Sequence, residues 1–374
     1  MKSVLAVALA LTLFVSIDAA PAIAAEATPT FEVDPFWPKA LPNQYLNGDP
    51  GGVYVDAQDH VWMIHRPKTI AKDMGTVGDP KNPAEAECCR PAPSVIEFDA
   101  DGKFVQAWGG PSPDGKYDWP QPEHGIFVDY KNNVWLCGNG GNQCLKFTRD
   151  GKFLLQIGKA GQTKGSLDET SLNHPADAAV WPATNEVFIA DGYANRRVIV
   201  FDADTGKFKR MWGAYGNKPD DSAPRAEPAK RASGPAPQQF DLVHCLKIAK
   251  DGLVYVCDRR NNRIQVFTID GKFVKEGFVA KATLSSGGTV YNLGFSGDPA
   301  QKYLVVGDLA NGHLRLLDRQ TLQEVPGSAF GQTGHGVGQF NGLHALATDS
   351  KGNVYVAETR AARLQKFVMK GGGK

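Results

Sequence analysis

The sequence predicts an all-β fold, a six-bladed β-propeller, and three observations lead there. One unit recurs six times along the 374 residues. Each copy reads as short strands of alternating apolar and polar residues separated by tight turns, the pattern of antiparallel hairpins. The last copy lacks a strand that the N-terminal end can supply, and radial repetition closed in this way leaves few sheet edges exposed.

The clearest copy is 240–278, FDLVHCLKIAKDGLVYVCDRRNNRIQVFTIDGKFVKEGF. A strand headed by His244 alternates through Leu246 and Ile248 and turns at Asp251-Gly252. A second strand, 253–257, runs into the polar loop 258–262. A third strand, 263–269, an Asp-Gly turn and a fourth strand, 273–278, complete the sheet. Earlier copies are GVYVDAQDHVWMIHR with SVIEFDADGKFVQAWG, HGIFVDYKNNVWLCGNGGNQCLKFTRDGKFLLQIG, and ADAAVWPATNEVFIADGYANRRVIVFDADTGKFKRMWG. Later ones are YNLGFSGDPAQKYLVVGDLANGHLRLLDRQTLQEV and HALATDSKGNVYVAETRAARLQKFVMKG. Residues 30–38, TFEVDPFWP, are expected to add the missing strand to the last sheet.

Residues 1–25 read as a secretory signal peptide: Lys2, an apolar run over 4–17, and small residues ending at Ala24-Ala25. Its apolar core is too short to span a bilayer, and no other segment is apolar enough to insert. Residues 26–374 are expected to form a single propeller domain in the periplasm or outside the cell. The formal charge of +1, with charged residues spread evenly, argues against nucleic acid as a partner and leaves a small-molecule or peptide-derived substrate. Six cysteines suit an oxidising compartment. Cys137 with Cys144, and Cys245 with Cys257, sit across hairpins and are expected to pair. The neighbours Cys88 and Cys89 are left open between a vicinal bridge, other pairing and free thiols.

Long connections at 67–93, 158–175 and 217–239 interrupt the repeats. They join strands two and three, or one blade to the next, so all are expected on one face, over a covered site. Aligning the copies places Gly51, His124, Ala176, His244, Tyr291 and His344 at one position, the head of the channel-lining strand. Histidine occupies alternate blades, and in a six-fold ring these lie roughly 120° apart, so three imidazoles converge on one point. A lone histidine there would simply hydrogen-bond a loop; three by symmetry form a metal site. Three imidazoles with an open fourth position are a catalytic zinc arrangement, although imidazole also suits iron, copper and other divalent ions. Arg66, Tyr193 and Arg259 reach the same face from the loops after the second strands. Arginine clamps carboxylates, and a tyrosine beside a metal acts as base or orients a hydroxyl.

These stretches, PEHGIFVDYKNNVW, the DGY segment at 191–193, LVHCLKIAKDGLVYVCDRRNNRIQVF and LHALATDSKGNVYVAE, resemble the NHL-repeat propellers. More narrowly, they resemble the catalytic core of peptidyl-α-hydroxyglycine α-amidating lyase. The resemblance implies His124, His244 and His344 as zinc ligands, Tyr193 as the catalytic tyrosine, and Arg259 and Arg66 as substrate-positioning residues. It implies cleavage of the C–N bond of a carbinolamide into an amide and glyoxylate, the metal polarising the hydroxyl whose proton a base removes. Two positions depart from the family. Ala345 replaces an acidic residue of its structural calcium site, so calcium is not carried over, and Ala194 replaces a cysteine beside the tyrosine. A metal-dependent hydrolase of lactonase or arylesterase type and a non-catalytic binding propeller are the competing readings.

Overall fold

The computed structural model describes residues 28–70 and 89–371. The signal-peptide segment and most of the 67–93 insertion lie outside the described residues. Five sheets have four strands and one has three, and they follow the six sequence copies in order. Within each blade the strands are antiparallel neighbours, and each inner strand lines the central channel. The ring closes at Thr30–Asp34, which pairs with Arg363–Lys370 of the sixth blade from Thr30↔Lys370 to Asp34↔Lys366. The same segment wedges the buried Trp37 among residues of blades one and six. The fifth blade differs from expectation. Its fourth strand is reduced to isolated bridges, Leu314↔Phe330 and Leu317↔Glu324, because Thr321-Leu322 and Pro326-Gly327 turn the chain before a ladder can form.

The core explains why a ring forms at all. Six apolar clusters occur, one at each junction between neighbouring blades. Both faces of every sheet are therefore covered, as the alternating strands require. Val198 and Val200 of blade three meet Leu246, Val256 and Phe267 of blade four in one such cluster.

A second recurrent device ties the hairpin between strands two and three. A carboxylate ending strand two binds an arginine on strand three: Asp191–Arg197 at 2.8 Å, Asp258–Arg263 at 2.7 Å, Asp308–Arg315 at 2.9 Å and Glu358–Arg363 at 2.7 Å. The second blade has Gly138 and Gln143 instead, and a disulfide joins the preceding pair, Cys137 and Cys144. The Cys245–Cys257 bridge also forms. Cys89 is disulfide-bonded, so the open alternative of a free thiol there is removed, while Cys88 lies outside the described residues. Among the described residues no helix is long and apolar enough to cross a membrane.

Candidate metal centre

The aligned head position of the inner strands is built as a β-bulge. Register slips between Glu123 and Gly125, between Val243 and Cys245, and between Leu343 and Ala345 leave His124, His244 and His344 as the extra residues. A bulge re-aims a side chain out of the pleat, here into the channel. The three rings form a near-equilateral triangle, with centroids 4.8, 4.7 and 4.9 Å apart. Their ligating nitrogens lie within 4.8 Å of one another, and all three side chains are buried.

The intervening blades set the tautomers. His124 Nδ1 donates to Ala176 O at 2.7 Å, His244 Nδ1 to Tyr291 O at 2.5 Å, and His344 Nδ1 to Gly51 O at 2.9 Å. These carbonyls are the same aligned position in blades three, five and one. A carbonyl only accepts, so each Nδ1 carries the hydrogen and each Nε2 keeps a bare lone pair facing the centre. Gly51 is required for this approach, since a Cβ there would stand 2.3 Å from Glu123 O. Burial, followed by the Arg66 guanidinium, lowers His124 to about 3. Burial first, then the Arg259 guanidinium for His244 and the adjoining His124 for His344, hold both well below the usual range. Three neutral imidazoles with converging lone pairs fit a divalent transition ion.

Around this triangle stand the other predicted residues. Tyr193 Oη lies 2.9 Å from His124 Nε2 and 3.0 Å from His244 Nε2. Burial raises its pKa, opposed by the Arg259 guanidinium. Arg259 donates from Nε to Gly287 O at 2.8 Å and from Nη1 to Tyr193 Oη at 3.3 Å, and its guanidinium lies 4.0 Å over the Tyr291 ring. Arg66 donates from Nε to Glu123 O at 2.9 Å. Among the described residues no carboxylate pairs with either arginine. Two guanidiniums anchored by backbone carbonyls, and paired with no carboxylate among the described residues, leave a positive field suited to a carboxylate ligand.

Sequence reasoning passed over Tyr291 as the arginine's platform and the carbonyls of Gly51, Ala176 and Tyr291 as tautomer locks. It also passed over Asn139, whose side chain lies beside the Tyr193 hydroxyl. The aligned column already contained the carbonyl residues; main-chain roles carry no residue-type signal.

Two other features are not part of this site. Asp56, His60 and Glu97 also converge, but the Arg149 guanidinium already occupies that cluster, bonded to Asp56 at 2.9 Å and to Glu97. A cavity of about 460 Å³ opens at the other end of the channel among Tyr54, Phe127 and Trp181. Beneath the imidazoles the channel holds Asn292 and the Asp177–Lys247 ion pair at 2.7 Å.

The repeats define a six-bladed propeller, and residues 240–267 match the NHL repeat. The chain is similar to rat peptidylglycine alpha-amidating monooxygenase, 34% identical over 41% of this chain and 14% of that protein. It therefore spans a small part of that relative's length. It is also 28% identical to Drosophila melanogaster peptidyl-alpha-hydroxyglycine alpha-amidating lyase 1, over 68% of this chain and 46% of that one. Human NHL repeat-containing protein 3 is 29% identical over 74% and 73%. Among solved structures, a streptogramin B lyase superposes with TM-score 0.51 at 13% identity, covering 91% of this chain and 98% of that one, a likeness of fold alone.

Proposed function

We propose that the protein is an exported, metal-dependent lyase that cleaves the C–N bond of a carbinolamide bearing a carboxylate, releasing an amide and glyoxylate. The observation that carries this reading is the juxtaposition of three imidazole nitrogens that carry no hydrogen, a tyrosine hydroxyl and two guanidiniums with no acidic partner among the described residues. Similarity to an amidating lyase supports it. A divalent ion, zinc in the first instance, held by His124, His244 and His344 would supply Lewis-acid polarisation of the substrate hydroxyl.

Arg259 and Arg66 hold the carboxylate. Tyr193 passes its own hydroxyl proton to the leaving nitrogen as its oxygen takes the proton of the substrate hydroxyl. The C–N electron pair goes to nitrogen as the carbonyl forms, with no change of oxidation state and no water consumed. A buried site with Tyr193 within reach of the metal ligands suits such a proton transfer. The experiment is direct: supply an N-acyl-α-hydroxyglycine and follow glyoxylate and primary amide. Equimolar release that disappears in Tyr193→Phe is the expected result. Turnover of lactones or aryl esters without glyoxylate release would instead favour a hydrolase.

A further inference from the structure

The strand registers make Asn139 the counterpart of Arg66 and Arg259. Pro50↔His65, Glu123↔Gly138 and Val243↔Asp258 are the pairs immediately before each bulge. The next residue along strand two's exit is thus Arg66, Asn139 and Arg259 in blades one, two and four. Two of these three already face the metal centre. The third sits in the hairpin that departs from the repeat, where the acid–arginine tie is absent and a disulfide with Cα atoms 4.3 Å apart closes the base of the loop. Asn139 N donates to Pro122 O at 3.1 Å, which pins the residue further.

Its side-chain amide lies beside the Tyr193 hydroxyl, which in turn bonds the imidazoles. The Oδ1 atom is buried and has no hydrogen-bond partner. A buried acceptor left unmade costs stability unless a ligand completes it, and an amide oxygen can be completed only by a donor. Every other charged or hydroxyl group named at the site either awaits an anion or handles a proton. A carbinolamide has one N–H, on the nitrogen of the bond to be broken.

We infer that Asn139 is a specificity-determining residue whose Oδ1 accepts the scissile N–H of the substrate. It thereby selects secondary amides over esters and orients the leaving nitrogen toward Tyr193. This rests on the proposed lyase reading. A site built to bond a substrate N–H rejects the analogue lacking it far more strongly than a site that merely fits its shape.

The test uses two unreactive probes of equal shape, N-benzoylglycine and its ester isostere O-benzoylglycolate, titrated calorimetrically into the metal-loaded protein. Wild type is expected to prefer the amide by about tenfold or more, as loss of one bond to a buried acceptor implies. In Asn139→Ala the preference should fall below about threefold, with metal content and melting temperature retained. Asn139→Asp keeps the acceptor and should keep the preference. Equal binding of the probes by wild type, or a preference surviving in Asn139→Ala, overturns the inference while leaving the lyase reading intact. Binding of neither probe overturns the reading of the site as a carboxylate pocket, and this inference with it.

Discussion

His65 separates structural from chemical histidines by its partners alone. Its Nδ1 accepts from Gly48 N at 3.1 Å and its Nε2 donates to Pro93 O at 2.9 Å, so the ring is neutral and fully committed. Burial lowers its pKa to about 4. Because the folded value lies below the unfolded one, its contribution is complete above about pH 6.5 and is lost as pH falls toward 4. The shift corresponds to about 3 kcal/mol. Denaturant unfolding across that window should give a flatter pH dependence for His65→Asn than for wild type; parallel curves would contradict this. Among the described residues the imidazoles of the triad have no such second partner beyond Tyr193, and His344 Nε2 bonds nothing. Replacing His124, His244 or His344 by alanine should lower metal occupancy by at least the roughly 10- to 100-fold typical of losing a hydrogen bond to a ligand. His335→Ala, at an exposed loop, should leave it unchanged by elemental analysis.

The elements that matter most are the bulged inner strands and the ties that hold their neighbours. Arg263 and Asp258 are wholly excluded from water, and so are Arg197 and Asp191 one blade earlier. Removing one partner strands a buried charge. Asp191→Ala should therefore cost about 3 kcal/mol or more in unfolding free energy, whereas Asp101→Ala, from an exposed pair with Lys103, should cost less than about 1 kcal/mol. Equal effects would mean that the ties are not what holds the hairpins. The closing strand is a further element with a measurable share. Phe31 stacks on Phe330 at 4.8 Å and Trp37 is buried against Tyr355. Deleting 31–38 opens the edge of blade six and empties the Trp37 site, so the melting temperature should drop by about 5 °C or more. An unchanged value would argue against closure through this strand.

For the whole molecule, the consequence of alternate placement is mechanical as well as chemical. The triad draws its ligands from blades two, four and six, while the carbonyls that orient them come from blades three, five and one. Every blade thus contributes one backbone or side-chain group to a single point on the axis. An ion bound there acts on the folded ring and not on the unfolded chain, and stabilises it by about 2.7 kcal/mol at a hundredfold excess over Kd. Treatment with a chelator should lower the melting temperature, and zinc should restore it. Wild type with the same melting temperature in chelator and in zinc would remove the triad from the list of metal sites, since His124→Ala could then change nothing that metal had supported.

Periodicity alone carried the number of blades, the ring closure, the two hairpin disulfides and the alternate spacing of His124, His244 and His344, because each follows from strand alternation or from counting within a repeat. Tyr193, Arg66 and Arg259 were likewise legible, as polar residues at loop positions facing one end of the channel. The shortened fourth strand of blade five was not: its residues alternate adequately, and only competition with the Leu322 turn limits it to two bridges. Nor was the tautomer of the imidazoles, which depends on main-chain carbonyls brought from adjoining blades across separations of 52, 47 and 293 residues. Asn139 takes the same place as Arg66 and Arg259 only through the strand registers, and an amide in a glycine-rich loop has no intrinsic signature. Its importance arises only when folding buries one of its atoms next to Tyr193 without a partner, and burial is a property that distant residues confer.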